Sequence, residues 1–339
     1  MSLQIGPNTL TSPVLLAPLA GITDLPFRTL VGSFGAGLVV SEMVASHEMI
    51  TGRIEARDRA ELGADVAGTS VQIAGRDPHW MAEAARMIEA SGARIIDINM
   101  GCPAKKVVGG MSGSALMREP DHALRMIEAV VAAVNVPVTL KTRLGWDTDC
   151  LNAADIAASA EAAGIRMITI HGRTRCQFYK GRADWAAIAA VKKAVRIPVI
   201  ANGDITDAAS AREALRLSGA DGVMVGRAAQ GQPWLLAQIA HALYGTRAPV
   251  IPQGKDFSDM VSGHYEAMLN FYGPVLGSRN ARKHLGWYMD HAGTDSVMRH
   301  RILTTKEPEE VLARLEPALA HGPAQAGAGA NATERRHAA

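Results

Sequence analysis

Of the three cysteines in this 339-residue chain, Cys102 stands in a setting that favours chemistry. It follows the apolar run Arg94-Ile95-Ile96-Asp97-Ile98 and sits on a tight Gly101-Cys102-Pro103 turn. Next comes Gly109-Gly110-Met111-Ser112-Gly113-Ser114, a Gly/Ser-rich stretch of the kind that closes over a substrate as a lid. An ordinary thiol has a pKa of about 8.5, so at neutral pH it is protonated and can act as a weak acid. Cys150 and Cys176 lie in loops without such a context. No CxxC pair exists, which argues against a metal site and against a disulfide framework.

Other apolar runs also end in groups that can bind or react: Pro18, Glu42, Gln72, Asn99, Lys141, His171, Asn202 and Gly226-Arg227. Lys141 suits either a Schiff-base nucleophile or a cation that stabilises charge developing on a bound ring. His171 suits an acid/base or a hydrogen-bond donor to such a ring. Asn202-Gly203-Asp204 and Gly226-Arg227 combine bare backbone with a guanidinium, the two ingredients of a phosphate cradle.

The elements that must position these groups are short runs rich in Val, Ile and Leu. They begin near Val14, Leu38, Ser70, Arg94, Pro137, Met167, Ile197 and Val223. Near-continuous apolar runs of this type read as strands buried on both faces of a parallel sheet. The gaps read as helices: 119–134, with Leu124, Ile127, Val131 and Val134 on one face, then 155–164, 183–194 and 207–219. Eight such βα units close into a (β/α)8 TIM barrel, whose active site lies at the C-terminal ends of the strands. The polar residues above all fall there, and the loops after strands seven and eight form the phosphate site of such barrels. Gly6-Pro7-Asn8 predicts a hairpin closing the barrel floor.

After residue 245 the alternation stops, Pro249, Pro252 and Gly254 mark a linker, and helical patterns alone fill 246–320. The Gly/Ala-rich stretch 321–339 reads as a disordered tail. A hydrophobic content of 48% with only 4% aromatics suits a layered aliphatic core. The net charge of +2 does not mark a polyanion binder, so any grip on nucleic acid must come from local clusters. The absence of a signal-peptide pattern and of a membrane-spanning run leads us to expect a cytoplasmic protein with no membrane association.

The motifs APLAGITDLPFR (17–28), SEM (41–43), VQIAG (71–75), DINMGCPAKKV (97–107), GSALM (113–117), VTLKTRLGW (138–146), IHGRT (170–174), VIANGDI (199–205) and GRAAQGQPW (226–234) resemble those of the tRNA-dihydrouridine synthases, bacterial B branch. FYGP (271–274) and ARKH…WY (281–288) extend the resemblance, which covers about residues 3–317. It implies FMN as prosthetic group, NADPH as reductant and tRNA as partner, with no obligatory protein partner. It further implies that Pro18, Leu19 and Ala20 line the flavin, that Gln72 and Lys141 bond its polar edge, and that His171 helps hold it. Asn202, Gly203, Asp204, Gly226 and Arg227 would take its phosphate, and Cys102 would be the general acid. Asn99 would orient the uracil, while Lys105, Lys106, Arg143 and Arg173 are candidates to hold RNA phosphates.

The chain departs from the family pattern at Leu19, where a methionine is frequent, and in the uncharged Val108–Met111 stretch, where relatives often carry basic residues. The segment from Lys255 to Ala320 holds eight Lys/Arg against nine Asp/Glu, so its RNA grip must rest on Arg279, Arg282 and Lys283, with Arg299 and Arg301 nearby. Three other readings remain open on the residues alone: a flavin barrel reducing a free pyrimidine or small alkene, a Schiff-base aldolase using Lys141, and a catalytically silent RNA-binding barrel.

Overall fold

The computed structural model describes residues 2–61 and 69–323. An antiparallel hairpin, β1 (Leu3–Ile5) and β2 (Asn8–Leu10), opens the chain. A parallel sheet follows, built from β3 (Val14–Leu16), β4 (Leu38–Val40), the short β5 (Val44–Ala45), β6 (Thr69–Ala74), β7 (Ile95–Asn99), β8 (Val138–Arg143), β9 (Ile168–His171), β10 (Val199–Asn202) and β11 (Gly222–Val225). Pairing of β11 with β3, of β3 with β4 and of β4 with β6 closes it into an eight-stranded barrel. The two-residue β5 pairs with β6 and prolongs the turn that follows β4.

Strand parity sorts the side chains. Val14, Leu16, Val71, Ile73, Ile96, Ile98, Leu140, Ile168, Ile170, Val223 and Val225 pack outward among the helices. Leu15, Leu38, Val40, Ile95, Met167, Ile200 and Met224 pack inside the barrel, together with Leu3, Ile5 and Leu10 of the hairpin. The hairpin thus stops the floor with aliphatic side chains, as its sequence predicts. Further along the same inward rows the residues become polar. That change of character sets where a site can form.

The barrel helices are α1 (Leu25–Ser33), α2 (Ser46–Ile50), α3 (Ile54–Ala60), α4 (Pro78–Ala90), α5 (Lys105–Gly109), α6 (Pro120–Ala133), α7 (Ala153–Ala162), α8 (Ile188–Ala194), α9 (Ala208–Ser218) and α10 (Leu235–Tyr244). Local chemistry fixes several starts. Asp24 accepts from Phe27 N ahead of α1, Asp77 caps α4, and Asp207 with Ser210 forms a capping box for α9. Gly219, at φ +65°, ends α9 in the left-handed conformation that glycine adopts without steric cost.

Two expectations shift. In α6 the fully buried stripe is Ala123, Met126, Ile127 and Val130, so the helix is turned from the Leu124–Val131–Val134 face read from sequence. The Gly/Ser-rich stretch after Cys102 is not a bare loop either: α5 ends on its first residue, Gly109, and a 3-10 turn from Gly113 to Arg118 takes in its last two.

The chain divides into two compact units, Met1–Ala229 with Pro233–Pro249, and Gln230–Gln232 with Val250–Ala339. The second unit contains α11 (Gly254–Tyr272), α12 (Pro274–Ala292), α13 (Ser296–Thr304) and α14 (Pro308–Leu319). Residues 324–339, most of the expected tail, lie outside the described residues. No described helix is long and apolar enough to cross a membrane.

The core of the helical unit holds two imidazoles. His264 Nδ1 lies 3.0 Å from the Tyr288 hydroxyl, and the His264 and His284 rings meet edge to face at 4.8 Å. Burial pushes His264 down to about 4 and holds His284 well below the usual histidine range. An unfolded histidine titrates near about 6.5, so below that pH the unfolded chain binds protons that the folded unit refuses. The unit therefore loses stability as pH falls from about 6.5 toward about 4, by up to about 3 kcal/mol for His264. Amide-exchange protection of α11 and α12 should decline across that window, and His264→Gln should flatten the decline.

Candidate active site at the barrel mouth

The polar rows begin with Asp97, which lies between Ile96 and Ile98 on β7 and points into the barrel. Burial raises its pKa, while hydrogen bonds from Thr139 and Gln72 and the charge of Lys141 work in the opposite direction. Thr139 Oγ1 donates to Asp97 Oδ1 at 2.6 Å, and Gln72 Nε2 donates to Oδ2 at 2.6 Å. Asn99 Nδ2 then donates to Gln72 Oε1 at 2.7 Å. Asn99 Oδ1 accepts from Gly101 N at 3.3 Å and from Cys102 N at 3.0 Å. A continuous chain of hydrogen bonds therefore runs from the barrel interior to the turn that carries the thiol. Each member restrains the next.

Cys102 is a free thiol, partly exposed at the strand end. Its carbonyl accepts from both Ser114 N at 3.1 Å and Ser114 Oγ at 2.9 Å. A Cβ at Gly113, whose φ is +60°, would stand 2.8 Å from that carbonyl, so the segment can fold down here only on glycine. The stretch expected to act as a lid is thus already bonded against Cys102.

Lys141 follows Leu140 on β8, with its Cα paired to Asn99 and Thr169. Its ammonium has no hydrogen-bond or ion-pair partner among the described residues. Burial, with the nearby Arg143 charge adding, pushes it down to about 8, against the attraction of Asp97 and Cys102. His171 lies alongside. Burial first, then the cations Arg143, Lys141, Arg173 and Arg227, hold it well below the usual histidine range, so its ring is neutral. Arg173 Nη1 lies 3.3 Å from His171 Nε2. A guanidinium only donates, which makes Nε2 the acceptor and leaves the proton on Nδ1.

Arg143 and Arg173, taken from sequence as RNA-phosphate contacts, are corrected by their surroundings. Arg143 is buried and donates to the carbonyls of Gly101, Thr174 and Phe178. Arg173 is 2% exposed and holds Asp204 at 3.0 and 2.6 Å, with further bonds to the carbonyls of Lys180 and Gly181. Both guanidiniums brace loops and are not free to meet a polyanion. Asp204, at φ +54°, has its carboxylate spent on Arg173 and on Ala183 N, so an anion could use only its backbone. Gln72 and Asn99 are likewise committed to the chain above, each with one amide N–H to spare.

The remaining predicted residues lie open. Pro18 and Leu19 are half-buried and Ala20 exposed, and a Cβ on Gly226 would come to 3.8 Å from Leu19 Cδ2. Arg227 is 45% exposed, and its nearest carboxylate oxygen, on Asp204, is 3.8 Å away. Gly203, at φ +110°, lies so close to His171 that a Cβ would sit 2.6 Å from Cδ2. Asn202 Nδ2 is bonded to Met224 O. Lys105 and Lys106 are exposed on α5. On α12, Arg279 and Lys283 are exposed and Arg282 half-buried, spaced to share one face, and none has an ion pair among the described residues. Arg299 differs, being paired with Asp290 at 2.9 Å.

Sequence reading missed Thr139, Asp97 as an anchor, and Tyr179. A carboxylate inside an isoleucine run is the signal for Asp97. Tyr179 lies with the Arg143 and Arg227 guanidiniums at 5.7 and 5.4 Å from its ring centre, a contact that no local pattern announces.

The fold and site together define a (β/α)8 barrel with a buried polar anchor, a poised thiol and a cation-rich mouth. Comparison with known proteins carries this further. The family profile described as Dihydrouridine synthase (Dus) matches residues 15–322, and the chain belongs to that family of oxidoreductases. It is 63% identical over 321 residues to a "Probable tRNA-dihydrouridine synthase" of Rhodobacter capsulatus, covering 94% of this chain and 98% of the relative. It is 47% identical over 315 residues to "tRNA-dihydrouridine synthase B" of Vibrio cholerae, covering 93% and 98%. Among solved structures, histamine dehydrogenase from Rhizobium sp. 4-9 superposes with a TM-score of 0.54 at 13% identity. That match covers 78% of this chain and half of the other, and shows a shared fold.

If Arg173 is a brace, Arg173→Ala should lower unfolding stability by about 2 kcal/mol, less than a fully buried pair would lose because Asp204 is partly exposed. Urea unfolding of the two proteins checks this.

Proposed function

We propose that this chain reduces the C5=C6 bond of a uridine in the D-loop of tRNA, with FMN as its prosthetic group and NADPH as reductant. The observation that carries the reading is the presence at one barrel mouth of a half-buried Lys141 ammonium, unpartnered among the described residues, and a thiol whose turn Asn99 holds through the Cys102 backbone.

The residues fit FMN. Leu19 beside Gly226 offers an apolar wall, and Lys141 a cation lacking a protein anion. The backbone at Gly203, Asp204 and Gly226 with the half-exposed Arg227 suits a phosphate. Bound and reduced, FMN supplies a hydride to C6 of the uracil. Cys102 Sγ gives its proton to C5, so that a hydride and a proton together saturate the bond. Lys141 favours negative charge on the flavin's polar edge, and an anion there would draw its lowered pKa back up. The His171 Nδ1–H donates to the same group. Asn99 acts through the turn it holds, with one amide N–H left for the base. Lys105, Lys106 and the Arg279–Arg282–Lys283 face supply phosphate contacts for tRNA.

A small-substrate flavin reductase would give the cation face on α12 nothing to bind, which favours the tRNA reading. A Schiff-base role for Lys141 has no support, since no described acid/base pair is bonded to it. Cys102→Ala should keep flavin in stoichiometric amount yet lose on the order of 10²-fold in dihydrouridine formation. An unchanged yield in single-turnover assays would remove Cys102 from the reaction.

A further inference from the structure

A second concavity lies beside the Cys102 segment, with Gly110 and Ser112 in its wall. A cleft of about 470 Å³ is lined by Ser46, His47, Gly75, Arg76, Trp80 and Ser112, among others. That size falls in the range of small-ligand sites. Its floor begins at Ala74, two residues beyond Gln72 on β6, or about 7 Å along the strand. Apart from Gly110 and Ser112 of the stretch after Cys102, none of its residues belongs to the site described above.

The wall is aromatic. Trp80 is half-buried, with His47 edge-on at 5.5 Å and His79 at 5.3 Å. Gly75 keeps the floor bare, since a Cβ there would meet Ser46 Oγ at 2.3 Å and Met81 Sδ at 2.9 Å. Arg76 is held by its backbone, whose carbonyl accepts from His122 Nε2 at 2.7 Å. Its guanidinium is exposed and has no hydrogen bond or ion pair among the described residues. The Asp77 carboxylate caps α4 by accepting from His79 N and Trp80 N, so the amides of that helix are taken and Arg76 is the guanidinium left to meet an anion.

We propose that this cleft holds the adenosine end of the nicotinamide dinucleotide, the adenine against Trp80 and the 2′-phosphate on Arg76. The inference rests on NADPH being the reductant. One aromatic wall with one unpartnered guanidinium matches a single nucleotide. A polynucleotide strand is gripped through a row of cations, and among the described lining residues Arg76 is the one Lys or Arg. Ala74 in its floor, two residues along β6 from Gln72, and Ser112 in its wall put the cleft beside the mouth, so a dinucleotide lying in it would extend its nicotinamide end toward Gln72 and Lys141.

The test is calorimetric titration of the full chain with adenosine 2′,5′-bisphosphate and with 5′-ADP, for wild type, Arg76→Ala and Trp80→Ala. Wild type should prefer the bisphosphate. Arg76→Ala should erase the preference and weaken the bisphosphate about tenfold or more, and Trp80→Ala should weaken both ligands. In anaerobic stopped flow, the NADPH concentration for half-maximal flavin reduction should rise in parallel in both variants, with dithionite reduction and tRNA affinity unchanged. Variants that match wild type toward the bisphosphate and NADPH overturn the inference. So do variants that lose tRNA affinity alone, which would give the cleft to RNA. Wild type that binds the bisphosphate but is not reduced by NADPH would instead overturn the choice of reductant and leave the nucleotide cleft standing.

Discussion

A buried carboxylate and a half-buried ammonium on neighbouring strands of one barrel set the terms for everything above them. Asp97 and Lys141 both lose hydration, and each moves toward its neutral form, Asp97 upward and Lys141 down to about 8. Their mutual attraction offsets part of that cost. Asp97 finds its remaining compensation in Thr139 and Gln72, and this second requirement shapes the site. Because Gln72 is turned to Asp97, its carbonyl faces Asn99, and because Asn99 is turned to Gln72, its own carbonyl is left for the Gly101 and Cys102 amides. The position of the thiol is thus a consequence of how the buried charge is satisfied. Lys141 has no hydrogen-bond or ion-pair partner among the described residues, and in the proposed function an anionic ligand supplies one.

The surrounding loops serve the same end by consuming charge that would otherwise compete. Arg143 binds three carbonyls and Arg173 binds Asp204, so two of the four cations around His171 are structurally committed. Lys141 and Arg227 remain available. One lies inside the mouth and the other at its rim; in the proposed function the first meets the ring edge of the flavin and the second its phosphate.

The fold was legible because burial on both faces leaves aliphatic runs that composition alone reveals, and all eight runs became strands. The residues after each run were legible for the related reason that barrel geometry collects strand ends. Distinguishing ligand contacts from braces was not possible in the same way. Arg143, Arg173 and Arg227 look alike in sequence, and only burial and partners separate the first two from the third. The α6 face was misread by about one residue because Ala123 and Met126, less apolar in pattern than Leu124 and Val131, take the buried positions. The Gly-rich stretch after Cys102 read as a lid because glycine signals mobility and tight packing equally. Gly113 is there for contact.

In the proposed function a flavin phosphate is held at the rim while Lys141 meets the ring. FMN titrated into the purified chain, followed by quenching of flavin fluorescence, tests this most directly. Wild type should saturate at one FMN per chain, and Arg227→Ala should bind about tenfold or more weakly, as expected for loss of a charge-assisted contact. A wild-type chain that is folded by circular dichroism yet leaves the fluorescence of added FMN unquenched would contradict the account.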